Sequence, residues 1–492
     1  MTNKGSKQHR LILKKIAHRV MIERGLFPDY PARAIKQLDG IHQPAKGNEE
    51  SVSDLRNLLW CSIDNDDSLD LDQITVAEIY SNGSAKLLIA IADVDAVVKK
   101  KSAIDEHARQ NTTSVYTAAE TFAMLPEKLS TDITSLNYKS DRLAIIIEMV
   151  MDSNGLIQDS GIYRAIVRNN AKLAYNSVAD WLDGNGPIPD VINTVVGLEE
   201  NLRFQERLAM KLKALRQLNG ALDLETIEVR PVFIDDELKD LKADIGNRAK
   251  DIIEEFMIAA NGVTARYLES KRFPSFRRVV RVPKHWDRII EIAKEWGVKL
   301  PQKPDSKSLE KFLVAAKATD PIRFPDLSLS IIKLLGSGEY VAKFPGGNTA
   351  GHFGLAVRDY AHSTAPNRRY PDVITQRLLK AAVLGIKPPY KNSELEELAI
   401  HCTKQEDAAK KVERQMIKSA AAIFLESRIG EQFDAIVTGA SEKGTWIRLI
   451  NPSVEGKLES GFEGIKVGNK IIVQLISTNV ERGYIDFNRI KA

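Results

Sequence analysis

The chain has 492 residues, 43% hydrophobic and 28% charged, with a formal net charge of +4. That is room for two to four domains and a sizeable core; the charge permits nucleic-acid binding without requiring it. Two cysteines, Cys61 and Cys402, exclude a disulfide framework; no apolar run is long enough to span a bilayer, and the polar, basic N-terminus lacks a signal-peptide core, so a cytoplasmic location is expected.

In chain order, Arg10–Ile22 carries apolar residues at helical spacing and predicts a basic helix ended by Gly25 and Pro28. A second short helix is expected over Ala32–Leu38. This pair, within residues 1–50, reads either as a small nucleic-acid-binding head or as a cap docked on the next domain, and the cap is preferred. Gly40–Glu50 reads as linker.

The stretch Leu59–Ile74 follows, with Asp64, Asp66, Asp67, Asp70 and Asp72 inside nine residues and apolar segments on both sides. Carboxylates this close repel one another and raise their own pKa values unless a cation compensates them. In an extended chain Asp70 and Asp72 point to the same side. Asp64 joins them if Asn65–Ser68 folds back as a turn. Such oxygen donors suit Mg²⁺ or Mn²⁺ rather than zinc. The competing reading is a solvated or calcium-stabilised loop, although the spacing and terminal glutamate of an EF-hand are missing.

Residues 51–400 read as one mixed body. Strands are expected at Gln73–Ile79, Ala85–Ala92, Arg142–Met149, Gly161–Val167 and Glu228–Ile234, and helices at Lys99–Gln110, Asn247–Ser270 and Trp286–Glu295. The pattern is too long and irregular for a simple doubly wound sheet. Residues 401–429 form a bridge through a helix at His401–Glu426. Residues 430–492 hold short hydrophobic strands at Phe433–Val437, Trp446–Leu449, Lys470–Leu475 and Tyr484–Phe487, punctuated by glycines as in a five-stranded OB barrel. Eight acidic and eight basic residues in 431–492 leave this tail without a basic footprint, so any grip on nucleic acid there rests on local charge and stacking.

Three more features bear on chemistry. Arg368 and Arg369 follow Pro366, and adjacent guanidiniums on a proline-fixed turn can clamp phosphate oxygens; the plainer reading is a surface turn paired with Asp372. Glu254 and Glu255 sit in an apolar helix where buried carboxylates need partners, or else pair with Arg248 or Lys250 at a solvated face. The rings of Tyr116 and Tyr175 can stack on bases, although a lone tyrosine is more often packing.

Taken together these stretches resemble the ribonuclease II (RNB) family of 3'-to-5' exoribonucleases. Asp64, Asp70 and Asp72 match three of that family's four metal-site aspartates. The fourth position is Gln73, a neutral oxygen that holds one cation more weakly or calls on Asp66 or Asp67. The run HFGL at His352–Leu355, followed by YxHxTxPxRRYxD from Tyr360 to Asp372, is highly specific to the family; Ser363, Ala365 and Asn367 depart from its commoner Phe, Ser and Ile. The segment Glu254–Asn261 resembles the family's EExM…AN helix, whose glutamate helps hold the 3'-terminal nucleotide; Glu254 and Glu255 both qualify, and Glu255 is favoured. Tyr116, in a TSVY…MLP-like segment, and Tyr175 match the family, and Leu215–Leu224 resembles its R..GALDF motif. The tail resembles an S1 RNA-binding domain. The N-terminus does not resemble the paired cold-shock domains of many members.

The resemblance implies an α+β fold: a large mixed RNB-type catalytic domain, a small helical N-terminal region and a C-terminal OB-fold (S1) β-barrel. It implies a Mg²⁺-dependent exoribonuclease that hydrolyses single-stranded RNA from the 3' end and releases nucleoside 5'-monophosphates. One or two Mg²⁺ ions, with Mn²⁺ as substitute, would lie on Asp64, Asp70, Asp72 and Gln73. Arg368 would join the three aspartates in catalysis, and Tyr116, Tyr175, Glu254, Glu255, Arg369 and Trp446 would contact RNA. No membrane and no obligate protein partner is implied. The alternatives are a catalytically silent RNA-binding protein of the same fold, conceivable because of Gln73, and a metal-dependent phosphodiesterase acting on another polymer such as DNA.

Overall fold

The computed structural model describes residues 8–47, 52–80, 83–226, 228–244, 246–441 and 444–490. The end of the expected linker, residues 48–50, and the expected boundary at 50/51 lie outside the described residues.

The body is built on a seven-stranded sheet. In spatial order its strands are Ser53–Asp54, Ile157–Arg168, Asp141–Met151, Ala85–Ala92, Gln73–Ile79, Cys61–Asp64 and Ala171–Ala174. The four long strands at its centre are antiparallel, and the two flanking pairings, 53–54 with 157–168 and 61–64 with 171–174, are parallel. Ala85–Ala92 is buried at all but one position, which explains its run of apolar residues without alternation: both of its faces lie in the main core. The strands at 73–79 and 85–92 coincide with the expected ones. Those at 141–151 and 157–168 extend further, because cross-strand hydrogen bonding carries polar ends that periodicity alone does not mark.

The acidic stretch leaves this sheet at Asp64 and re-enters it at Gln73, so it lies at one sheet end. The Leu198–Leu218 helix packs beside the Arg248–Ser270 helix, and the Tyr370–Val383 helix seats Tyr370, Val373, Ile374 and Leu378 in the main core.

A second core joins elements distant in sequence. The His9–Glu23 helix buries Leu13, Ile16, Ala17, Val20 and Met21 against the Asn392–Glu426 helix, a hairpin and the C-terminal barrel. The N-terminal helix is therefore docked, with Arg19 paired to Glu481 of the barrel region at 2.6 Å. The hairpin pairs Glu228–Ile234 with Glu237–Asp244, a strand the sequence reading did not expect; Asp235 and Asp236 both take positive φ, as its two-residue turn requires. The long helix begins at Asn392, ahead of the expected His401, so the expected boundary at 400/401 falls within one continuous helix.

The tail closes into a five-stranded barrel in the order 432–441, 444–449, 455–460, 484–489, 470–479. Its third strand, Glu455–Ser460, is the one of the five expected that the sequence reading did not place. Gly456 makes that strand possible, since a Cβ there would stand 2.4 Å from the Phe487 ring. Among the described residues, no helix is long and apolar enough to cross a membrane.

Candidate active site

Asp64 ends its strand, and the next four residues fold back as a turn. Its Oδ1 accepts hydrogen bonds from the Asn65 N–H (2.8 Å) and the Ser68 hydroxyl (2.9 Å), while the Ser68 N–H donates to the Asn65 carbonyl at 3.1 Å. Asp66 and Asp67 are exposed on that turn. The chain is then pinned at Ser135: its hydroxyl donates to the Leu69 carbonyl and accepts from the Leu71 N–H.

Asp70 and Asp72 follow, in unlike surroundings. Asp70 is half-buried, and burial raises its pKa; the charge of Asp64 adds to that rise, and Arg368 partly offsets it. Asp72 is 2% exposed; burial pushes its carboxyl up to about 8, against the lowering pull of Arg368 and of a hydrogen bond from the Asn367 N–H. That bond to Oδ1 is 2.8 Å long. The other oxygen, Oδ2, is buried with no hydrogen-bond partner and lies 3.5 Å from Arg368 Nε. Gln73 is half-buried in register with Ile91, and its amide makes no side-chain hydrogen bond among the described residues.

Arg368 comes from a tight turn, in which the Arg368 and Arg369 N–H groups donate to the Ala365 carbonyl. The Ser114 N–H donates to the Arg368 carbonyl at 3.0 Å, tying this turn to the strand that carries Tyr116. The guanidinium of Arg368 is 44% exposed, free to meet a ligand. Arg369 is committed differently: it donates to Asp372 Oδ1 at 2.8 Å, and that same oxygen accepts the Ala365 N–H. Arg369 therefore holds the turn together, the role the plainer sequence reading assigned to the pair.

Tyr116 stands beside Asp70 and Arg368, and Tyr175 beside Asp64 and Arg368, so two rings flank the acidic group. The two glutamates separate cleanly. Glu255 is 3% exposed and receives a two-pronged clamp from Arg216, whose NH2 and Nε donate to Oε1 and Oε2 at 2.5 and 3.0 Å. Glu254 is 57% exposed and 3.7 Å from Arg216, so it is the carboxylate open to a ligand, although Glu255 was favoured from sequence. Trp446 is half-buried on the barrel over Gly439 and is not among the residues that line the cavity described next.

A cavity of about 1590 Å³ runs from Asp70 and Tyr116, along the hairpin and the Asn392–Glu426 helix, to Arg448 and Glu455 of the barrel. Arg448 donates two parallel hydrogen bonds to Asp326 (2.9 and 2.8 Å), closing the barrel against the Phe324–Leu335 helix at the cavity wall.

Sequence reading missed two residues here. Asn367, taken as a neutral departure, supplies the backbone donor that orients Asp72, and its side-chain oxygen accepts the Thr134 hydroxyl at 2.6 Å. Arg216, placed in the GALDF-like motif but given no role of its own, fixes the glutamate helix. No local signal marks either, because each partner is remote in the chain.

The chemistry of the donors fits a hard divalent cation. Asp72 carries a buried, unpartnered oxygen, and Asp64, Asp70 and Asp72 load negative charge into a partly desolvated site. Among the described residues no three His, Cys, Asp or Glu side chains converge closely enough to enclose a metal on their own. An open set of this kind suits Mg²⁺, which keeps several waters and takes further oxygens from a phosphate.

Comparison with known proteins places the chain in a family. The RNB domain family matches residues 52–385, and the family of RNase II-type exonuclease C-terminal S1 domains matches residues 431–490. Ribonuclease R of Aquifex aeolicus is 31% identical over 511 residues, covering 97% of this chain and 71% of that protein. Ribonuclease R 1 of Lactococcus lactis is 27% identical, covering 95% of this chain, which thus spans 60% of that relative's length. A solved structure of Mycoplasma genitalium RNase R in complex with ribose-methylated single-stranded RNA shares the fold, with a TM-score of 0.86 at 21% identity, over 97% of this chain and 78% of that one. With the RNB model matching more than half of the chain and the S1 model matching its tail, the chain belongs to the ribonuclease II (RNB) family of exoribonucleases.

Proposed function

We propose that this protein is a Mg²⁺-dependent 3'-to-5' exoribonuclease that hydrolyses single-stranded RNA and releases nucleoside 5'-monophosphates. The observation that carries the reading is the buried, unpartnered Asp72 oxygen facing the half-exposed Arg368 at 3.5 Å, two residues from Asp70, which lines the cavity. Asp64, Asp70 and Asp72 hold one or two ions, with the Gln73 amide oxygen as a weaker fourth donor and Mn²⁺ as the substitute ion. When bound, the cation supplies Lewis-acid charge at the scissile phosphate. Arg368 places its fork of donors against the phosphate oxygens as their charge grows. Tyr116 and Tyr175 stack the last bases without reading their identity, worth about 1–3 kcal/mol per base. Glu254 accepts hydrogen bonds from the hydroxyls of the 3'-terminal ribose, while the Arg216–Glu255 clamp holds its helix in place. The reading includes a cytoplasmic location, in keeping with two free, buried cysteines.

Incubating uniformly labelled RNA and sequence-matched DNA with and without Mg²⁺ tests this: labelled mononucleotides should accumulate only from RNA and only with the ion. Gln73 favours one rival, a silent RNA-binding protein, for which RNA is bound but no nucleotide appears. Equal release from DNA would overturn the substrate assignment.

The glutamates give a sharper contrast. Glu255→Gln should cost about 3–5 kcal/mol, because it strands a largely buried Arg216 without its counter-charge, and calorimetry should show a clear fall in Tm. Glu254→Gln should leave Tm unchanged. Removal of a hydrogen bond to a charged group, about 1.5–3 kcal/mol, should reduce the preference for RNA with an intact 3'-terminal ribose over one ending in a 2'-deoxynucleotide about tenfold.

A further inference from the structure

The barrel carries as much negative as positive charge, yet the cavity that leads from it to the acidic site must hold a polyanion. Basic groups are found instead on the Asn392–Glu426 helix. Lys410, Arg414 and Lys418 recur every fourth residue and all line the cavity. A rise of about 1.5 Å per residue sets them about 6 Å apart along the axis, close to the step between consecutive phosphates of a single strand. We propose that this helix face is a phosphate track, in which Lys410, Arg414 and Lys418 hold three successive phosphates of a single-stranded RNA between the barrel and the acidic site. The proposal rests on the exoribonuclease reading and adds the residues that grip the RNA body.

Three observations support it. The helix is anchored to the site, because the Tyr116 N–H donates to Glu413 Oε1 at 3.0 Å; the track therefore keeps register with the ring beside Asp70. Arg414 is exposed and makes no hydrogen bond or ion pair among the described residues. Lys410 is half exposed, and its partner Glu406, 3.0 Å away, is already held by Arg278; Lys418 is 3.9 Å from the part-exposed Glu455, so a phosphate can displace either contact. Between them Ile417, 41% exposed in the cavity, offers an apolar surface that takes any base or sugar. Phosphate contacts of this kind give affinity and register but no sequence preference.

The test is the variant Lys410→Gln/Arg414→Gln/Lys418→Gln in the full chain, with Lys391→Gln/Lys404→Gln/Lys411→Gln, exposed positions on or beside the same helix but off the cavity, as the charge-matched control. Glutamine is a good helix former, and circular dichroism verifies the fold. Binding of a 30-mer and of a trinucleotide is measured in chelator from low to moderate salt, and nucleotide release is measured with Mg²⁺. Loss of three phosphate contacts should make the log affinity against log salt slope shallower by about 2 for the 30-mer, at about 0.7 per contact on a single strand. KM for the 30-mer should rise at least tenfold with kcat held, while the trinucleotide and the control variant are unaffected. An unchanged slope, or equal losses for trinucleotide and 30-mer, overturns the track. Wild-type protein that binds the 30-mer with the full slope but releases no nucleotide overturns the exoribonuclease reading and leaves the track standing.

Discussion

Asp72→Asn is expected to reduce turnover at saturating Mg²⁺ by about two to three orders of magnitude, the size of effect that follows loss of one electrostatic group from a preorganised site. The replacement is isosteric, and its amide oxygen can still accept the Asn367 N–H. What disappears is the charge on the buried oxygen that has no protein partner. Affinity for a 30-mer in chelator should stay within about threefold, since that affinity comes from phosphate and stacking contacts elsewhere. A readout independent of activity accompanies it. An ion that binds only the folded state at about 100 times its Kd stabilises by about 2.7 kcal/mol, so Mg²⁺ should raise the Tm of the wild type and raise that of the variant much less. Undiminished turnover in a folded variant would remove Asp72 from the mechanism.

Arg368→Lys should lower kcat by about a hundredfold with little change in KM for long RNA. Lysine keeps the charge but replaces a planar fork of donors with a single point, which matters where two phosphate oxygens must be met at once. Stability should hold, because Arg368 is 44% exposed and its ion-pair distance to Asp72 is 3.5 Å. The neighbouring substitution is the control. Arg369 is largely buried on Asp372, so Arg369→Lys should loosen the turn and lower Tm as well as activity. Steady-state kinetics on a 30-mer, with a thermal melt of each variant, separates the two. If both arginines behaved alike, the division between a phosphate-facing group and a turn-holding group would fail.

Much of the site could be read from the chain because its parts are local. The aspartates at 64, 70 and 72 lie within one short stretch, and Asn65–Ser68 contains the small polar residues that fold a chain back on itself; the turn forms through hydrogen bonds between near neighbours. The strands at 73–79 and 85–92 are short apolar runs with clear ends, and the Trp286–Glu295 helix coincides with its expected span, because burial pattern and period agree there. Charged strands were harder. Glu237–Asp244, ELKDLKAD, has little strand propensity and is held by its partner strand and by the docked N-terminal helix.

The sequence by itself determined the family, the closed β-barrel and the candidate sets: a cluster of carboxylates, a pair of arginines and a pair of glutamates. Only the tertiary structure decided which member of each set is free to act. Adjacent residues on a helix point about 100° apart, so 254 and 255 cannot both stay exposed on one face, and the choice is made by Arg216, distant in the chain, which clamps Glu255. Arg368 and Arg369 divide in the same way, through Asp372. The state of Asp72 depends on the Asn367 backbone, 295 residues away. Periodicity reports a side chain's direction relative to its own element, but the partner that satisfies or strands a charge is supplied by whichever remote segment packs against it.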